Sequence, residues 1–354
     1  MQRLTVAGRL LITALILGAI FFAFRYFGGN EALRKLSPKD NQSAESQTLP
    51  SPDGQTTDGS SDEATSTASS SNQSGSSDNV ANDQPRQAFS YTAPEPQNGQ
   101  LKGVVELGAS GFNSFIVRVD DQKRWKLEKA EFGNSLVMEN MASDNDIRTG
   151  LKSYIGKMLD FGVGGRNIHF VVSSGALKAE GTQKIIKALK SLNYFVNTVT
   201  PEQEGSLGLR AVLPTEFYAN SFVTDIGSGN TKISWKEGSS TKALETYGAK
   251  YFENGTADGT VATEVQAKAK QVPSDHRKTC FIIGGVPFEL AKAVRNGKER
   301  YTVLDAPTAY TKLESAKSKA GLNIYKSIAD ATGCNQFVFD WDANFTIGYL
   351  LTLN

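Results

Sequence analysis

Two stretches of this chain share one layout: a strand that ends in a carboxylate, a glycine-rich turn, and a second strand. In the first, Val104-Val105-Glu106-Leu107-Gly108 leads through Ala109-Ser110-Gly111-Phe112 to Asn113-Ser114-Phe115-Ile116-Val117-Arg118-Val119. In the second, Phe222-Val223-Thr224-Asp225 leads through Ile226-Gly227-Ser228-Gly229-Asn230-Thr231-Lys232 to Ile233-Ser234-Trp235. Glycines in such turns let backbone N–H groups approach an anion and tolerate positive φ. A carboxylate at the strand end is suited to hold a metal ion or to orient a water beside that anion. The residues alone are equally compatible with ordinary Asp/Gly hairpin turns. Two such hairpins, more than a hundred residues apart, nevertheless imply two related lobes facing one cleft. A third glycine pair, Gly284-Gly285, follows the apolar run Phe281-Ile282-Ile283 and precedes a helical stretch beginning near Phe288.

The elements between these landmarks repeat. Strands are expected at 103–107, 113–119 and 125–131. A helix follows, capped in the Ser143–Asp146 stretch, with Ile147, Leu151, Tyr154, Ile155, Met158 and Leu159 at helical spacing. A strand at 168–173, a helix carrying Ile185, Ile186, Leu189 and Leu192, and a strand at 195–199 come next. Pro201 then opens a helix that runs to about Leu213. The second copy starts with hairpin strands over 221–247. It continues with a helix near 257–270, the strand at 279–283, further helices, a strand at 336–340 and a terminal helix from about Ala343. The architecture is repeated without residue identity, over about 100–214 and 215–354, and a cleft between two such lobes suits a phosphate-bearing ligand.

Upstream the composition changes. Residues 10–24 carry no charge and lie between Arg9 and Arg25, whose stems can snorkel toward headgroups. With the apolar residues beyond them, a span over about 9–27 approaches the roughly 20 residues that cross a bilayer. Phe21, Phe22, Phe24 and Phe27 stand where a cleaved signal would have small residues, so residues 1–36 read as an uncleaved anchor. Residues 37–99 are mostly Ser, Asp, Asn, Gln, Thr, Gly and Pro. Between Asp40 and Gly99 nine acidic residues face one basic residue, Arg86. Such a segment buries too little apolar surface to offset ordering. It reads as a disordered linker with a reach of about 40–50 Å.

The remaining residues have globular composition, ample for a two-lobed core. A net charge of +1 argues against a nucleic-acid partner. His169 and His276 are the only histidines, and Cys280 and Cys334 the only cysteines. That is too few for a dedicated zinc site, and neither histidine has a Ser-His-Asp setting. Trp125, Trp235 and Trp341 read as packing residues.

Five segments, in this order and spacing, carry a resemblance to a known family. They are Glu106-Leu107-Gly108 with Asn113-Ser114-Phe115; Ser174-Gly175-Ala176-Leu177-Lys178; Glu202-Gln203-Glu204-Gly205-Ser206-Leu207; Asp225-Ile226-Gly227-Ser228-Gly229-Asn230-Thr231; and Gly284-Gly285. They resemble in turn the D-x-G-S-N-S-F, T-x-A-x-R, E-E-A-R-L, D-I-G-G-G-S-T-E and G-G-T segments of the exopolyphosphatase / guanosine pentaphosphate phosphatase family. That family lies in the superfamily of actin, sugar kinases and heat-shock chaperone ATPases. The resemblance covers about residues 101–354. It implies an α/β fold of two actin-like (ribonuclease H-like) lobes, each a mixed sheet with flanking helices, with a cleft between them. The terminal helix could pack back on the first lobe.

The resemblance also implies chemistry. Glu204 would be the general base for the water that attacks a terminal phosphorus. Asp225 would orient that water or, with Glu106, hold a divalent metal such as Mg2+. Gly108, Asn113, Ser114, Gly227, Ser228, Gly229, Asn230, Thr231, Gly284 and Gly285 would cradle phosphates, and Lys178 would neutralise phosphate charge. The ligand would be polyphosphate or a nucleotide polyphosphate.

Departures from the family pattern cut against this chemistry. Glu106 replaces an Asp, and about three extra residues precede Asn113. A displacement of about 1 Å can cost on the order of a hundredfold in rate. Lys178 lacks the bidentate fork of the arginine it replaces. Lys232 stands where the family has the glutamate that closes the second hairpin, and Val286 replaces the Thr of the third segment. Three functions therefore stay open. They are a membrane-tethered phosphoanhydride hydrolase; a weak or inactive relative that serves as a phosphate-binding or protein-interaction module; and an actin-like nucleotide-binding assembly factor. A homodimer stays open as well. Location reads as a single-pass protein of a bacterial inner (cytoplasmic) membrane. In the superfamily Cys280 and Cys334 would sit at one end of neighbouring parallel strands. A bridge there needs Cα atoms within about 7 Å and an oxidising compartment, which leans the domain outward; two separate buried thiols are the alternative.

Overall fold

The structure is a computed structural model that describes residues 89–108, 111–133, 144–177 and 179–354. The expected anchor, the linker up to residue 88, Ala109, Ser110 and Lys178 lie outside the described residues. Among those described, no helix is long and apolar enough to cross a membrane.

The first half of the fold contains β1 (Gln100–Leu107), β2 (Phe112–Val119), β3 (Trp125–Phe132), α1 (Asp144–Asp160), β4 (Ile168–Val172), α2 (Glu180–Ser191), β5 (Val196–Thr198) and α3 (Pro201–Val212). The second contains β6 (Ser221–Ile226), β7 (Asn230–Glu237), β8 (Ser240–Tyr247), α4 (Asp258–Ala269), β9 (Thr279–Ile283), α5 (Gly285–Val294), β10 (Tyr301–Val303), α6 (Ala316–Thr332), β11 (Phe337–Asp340) and α7 (Phe345–Leu350). One sheet has the order β3-β2-β1-β4-β5 and the other β10-β11-β9-β6-β7-β8. In each, an antiparallel three-strand meander continues into parallel strands: β1 with β4 and β5, β6 with β9 and β11. The repeated order read from the sequence is thus one topology used twice. The second sheet adds β10, antiparallel to β11. Its three residues are too few to show a period, and it was not anticipated.

Three cores give the layering. Val105, Leu107, Ile116 and Phe170 bury the outer face of the first sheet against α1 and α2, through Leu151, Ile155, Met158, Ile185 and Leu189. Phe222, Ile233, Trp235 and Ile282 bury the outer face of the second sheet against α4, α5 and α6, through Val261, Val265, Leu290, Ile324 and Ile328. The two inner faces share the third core. Val104, Phe115 and Val171 of the first sheet and Val223, Phe281 and Val338 of the second meet Leu209, Val212, Ile347 and Leu350 of α3 and α7. Those two helices therefore form the central layer. Strand alternation explains the split, because side chains of odd and even residues face opposite sides.

The central helix α3 starts where the sequence signals it. Thr200 accepts from the Gln203 N–H at 3.2 Å, the Gln203 side chain accepts from the Thr200 N–H at 2.9 Å, and Pro201 occupies the first turn. One expectation needs amending, and one pair of alternatives is decided. Residues 89–99, assigned to the disordered linker, are packed on the domain through Phe89 and Tyr91, the large aromatic side chains that the linker composition had concealed. Cys280 and Cys334 are buried free thiols. The Cys280 Sγ lies 3.4 Å from Thr224 Oγ1, and Cys334 Sγ donates to the Gln336 carbonyl at 3.4 Å.

Candidate functional site

The carboxyl ends of the central parallel strands carry the candidate residues. Glu106 is one residue from the end of β1, Ser174 follows β4, Asp225 is one residue from the end of β6, and Gly284 follows β9. In open α/β sheets this is the end where ligands sit. Alternation puts Glu106, Asn113, Asp225, Asn230 and Lys232 on the inner faces, toward α3 and α7.

Glu204, in the first turn of α3, is the hub. The residue is only 2% exposed. Through Oε1 it forms an ion pair with the Nζ of Lys232, a residue also only 2% exposed. Its Oε2 accepts from the Ser174 N–H at 2.7 Å and from Ser174 Oγ at 2.5 Å. Asn230 Nδ2 donates to Ser174 Oγ at 2.8 Å and to Glu245 Oε1 at 2.6 Å. One chain of hydrogen bonds thus runs Glu245–Asn230–Ser174–Glu204–Lys232, and Lys232 and Glu245 are cross-strand partners in β7 and β8. The helix can sit this close to the sheet because residue 205 is glycine. A Cβ there would lie 2.7 Å from the Ala243 Cβ and 3.4 Å from the Lys232 Cβ.

Glu106 and Asp225 complete the acidic group. Glu106 Oε2 accepts from Asn113 Nδ2 at 2.9 Å and from Asn344 Nδ2 at 3.0 Å. Burial pushes its carboxyl up to about 7; the two amides pull against that, while the charges of Asp225 and Glu204 add to it. Burial also raises Asp225 to about 6, opposed by Lys232 and assisted by Glu204. Burial is the main reason these carboxyl groups are reluctant to ionise, and the neighbouring carboxylates add to it.

The phosphate-loop residues are tightly engaged. The Gly227 N–H donates to the Asn230 carbonyl at 3.1 Å, closing a turn whose tip is Ser228-Gly229. The Ser174-Gly175 turn rests on that tip: a Cβ at Gly175 would lie 3.1 Å from the Gly229 Cα. Backbone from the other lobe thus packs directly on the turn. The Thr231 hydroxyl is buried without a partner, on the outer face with Ile233. Gly108 closes the first hairpin through its N–H to the Gly111 carbonyl at 2.9 Å, and Ser114 is buried in β2. Gly284 has φ +113°, and its N-terminal approach to α5 lies against the Ile226 carbonyl. Gly285 begins α5 beside Lys317.

A resident divalent cation does not fit this donor set. The register sets Lys232, a cation, opposite Asp225. Among the described residues no three or more His, Cys, Asp or Glu side chains form a metal-binding group. Three participants carried no assigned role in the sequence: Ser174, Asn344 and Glu245. Ser174 was readable as the opening of a family-like segment and Asn344 as the N-cap of α7, where its Oδ1 accepts from the Thr346 N–H at 2.9 Å; Glu245 left no signal.

No protein-family model matches the chain, and no curated protein matches it in sequence. Solved structures do resemble it. The PPX-GPPA enzyme of Aquifex aeolicus matches with a TM-score of 0.55 at 16% identity, over 72% of this chain and 99% of that one. The type II variant of the Aquifex aeolicus Ppx/GppA phosphatase gives 0.53 at 15% identity, over 72% and 99%. An exopolyphosphatase from Cytophaga hutchinsonii gives 0.55 at 13% identity, over 72% and 97%. These likenesses, together with the two mixed sheets and their flanking helices, establish that the chain has the actin-like α/β fold of the Ppx/GppA phosphatases.

Proposed function

We propose that this chain is a non-hydrolytic relative of the exopolyphosphatases, a membrane-tethered interaction module whose former catalytic glutamate has become structural. One observation carries this reading: the buried Lys232–Glu204 ion pair. A general base needs a free lone pair within reach of the attacking water. Here Lys232 engages one oxygen of Glu204 and both Ser174 donors engage the other. The ammonium that replaces the family's glutamate also opposes a divalent cation. The Ser174-Gly175 turn packs directly on the tip of the second hairpin, where the family's phosphate loop would lie. The uncharged run over residues 10–24, inside the expected span over about 9–27, supports a membrane anchor.

A second reading is hydrolysis of polyphosphate or a nucleotide polyphosphate by an opened form. Its support is the convergence of Glu106, Glu204 and Asp225 on one site, in a fold whose solved relatives are phosphatases. Phosphate release from polyphosphate and from guanosine pentaphosphate, with and without Mg2+, separates the two. The interaction-module reading expects no release above that of a Glu204→Ala variant. Release that depends on Glu204 would establish the hydrolase instead.

A further inference from the structure

The segment preceding β1 is held at both ends by different lobes. The Phe89 ring meets Phe217 and Phe281 at centroid distances of 5.6 Å and Tyr301 at 5.5 Å. Tyr91 meets Phe217 at 5.8 Å and Tyr301 at 5.6 Å. These partners lead into β6 or belong to β9 and β10, all strands of the second sheet. A few residues on, the chain crosses to the first sheet. Glu95 pairs with Lys126 at 3.1 Å, the Gln97 N–H donates to Asp120 Oδ2 at 3.0 Å, and the Gly99 carbonyl accepts from Arg118 Nη1 at 3.1 Å. The next residue begins β1, the middle strand of that sheet.

We propose that residues 89–99 are a strap that keeps the two lobes closed over the Glu204 network, and that withdrawing Phe89 and Tyr91 releases them. Any rotation of one sheet against the other must either unseat these two rings or distort β1, because the strap is covalently continuous with that strand. The seat is at a rim, with both rings only half-buried, so it is a low-stability contact of the kind that opens first. The lobes also share the core around α3 and α7, on whose edge Phe89 packs, and away from that core they meet at Arg300 over the Trp125 ring at 4.3 Å, Phe132 on Phe288 at 6.0 Å and the Ser174–Asn230 bond. The strap alone among these contacts is directly joined to the chain upstream, so a pull or a binding event there acts first on Phe89. The strap does not depend on whether the site is hydrolytic; it governs access to the site in either case.

The test uses the full chain with spin labels at Lys184→Cys and Lys270→Cys, exposed positions at α2 and at the end of α4. The native cysteines are buried and escape labelling. The wild type is expected to give one narrow distance distribution. A Phe89→Ala/Tyr91→Ala double variant should add a longer one, with deuterium uptake over residues 173–177 at least about tenfold faster. Phe89→Leu, which keeps the seat filled, should fall between them. Unchanged distances and uptake in a folded double variant overturn the proposal. If the double variant does not fold, Phe89→Leu decides: a longer population supports the strap and a wild-type distribution refutes it.

Discussion

Replacing Lys232 with methionine should destabilise the domain far more than loss of a surface lysine would. Glu204 would then be a buried carboxylate, 2% exposed, without its counter-charge. Breaking a buried pair from one side costs about 3–5 kcal/mol, because the remaining charge is uncompensated. The two Ser174 hydrogen bonds to Oε2 hold the cost toward the lower figure. At about 2–4 °C per kcal/mol for a domain of this size, Tm should fall by at least about 6 °C. Glu204→Leu alone strands the ammonium and should cost as much. The double variant Lys232→Met/Glu204→Leu removes both charges and should return to within about 1 kcal/mol of wild type, since apolar replacement of a buried pair is often neutral. Denaturant unfolding of the four proteins, with constant m-values, gives the coupling energy; the expected value exceeds about 2 kcal/mol. Single costs below about 1 kcal/mol that simply add, as for exposed ion pairs, would refute the buried pair as a structural element.

Three further outcomes are expected. Glu106 and Asp225 have folded-state pKa values raised to about 7 and about 6. Their stabilisation is therefore fully present below about pH 4 and is lost as pH rises through 6 and 7; Tm measured from pH 5 to 8 should fall, and Glu106→Gln should remove most of that slope. Gly348→Ala should cost at least about 3 kcal/mol in denaturant unfolding, because a Cβ there would meet the Leu207 carbonyl oxygen at 1.9 Å where α7 crosses α3. Lys232→Glu should add a fourth carboxylate beside Glu106, Glu204 and Asp225. Calorimetry should find it destabilised in chelator and restored by millimolar Mg2+, with no Mg2+ effect on the wild type.

The fold was largely legible because its signals are local. The hairpins around Gly227 and Gly108 are marked by β-branched strands and glycine turns, and α3 is marked by Thr200-Pro201 and Gln203. Their order was enough to imply two matching lobes. The site was legible only as a set of residues. Glu204 is three residues into an amphipathic helix, and nothing along the chain says that it turns inward onto β7. That contact depends on Gly205 permitting close helix–sheet approach and on strand alternation aiming Lys232 at the same layer. Lys232 was readable as a departure, but its partner was not. Residues 89–99 were hidden by averaging: two aromatic rings carry little weight in a polar stretch, yet they find an apolar seat supplied by Phe217, Phe281 and Tyr301. Helix α5 begins at Gly285 rather than near Phe288, since Pro287 is tolerated in a first turn.

The central claim, that Glu204 is a closed structural element, is tested most directly by hydrogen exchange of the Ser174 amide, which donates to Glu204 Oε2 at 2.7 Å. If the network is part of the fold, this amide exchanges only through large-scale opening. Its protection should approach that of the core strands and stay unchanged when polyphosphate and Mg2+ are added. Fast exchange in the free protein, or a large change in protection on adding polyphosphate, would mean that the network opens as a ligand site, and the structural account of Glu204 would be wrong.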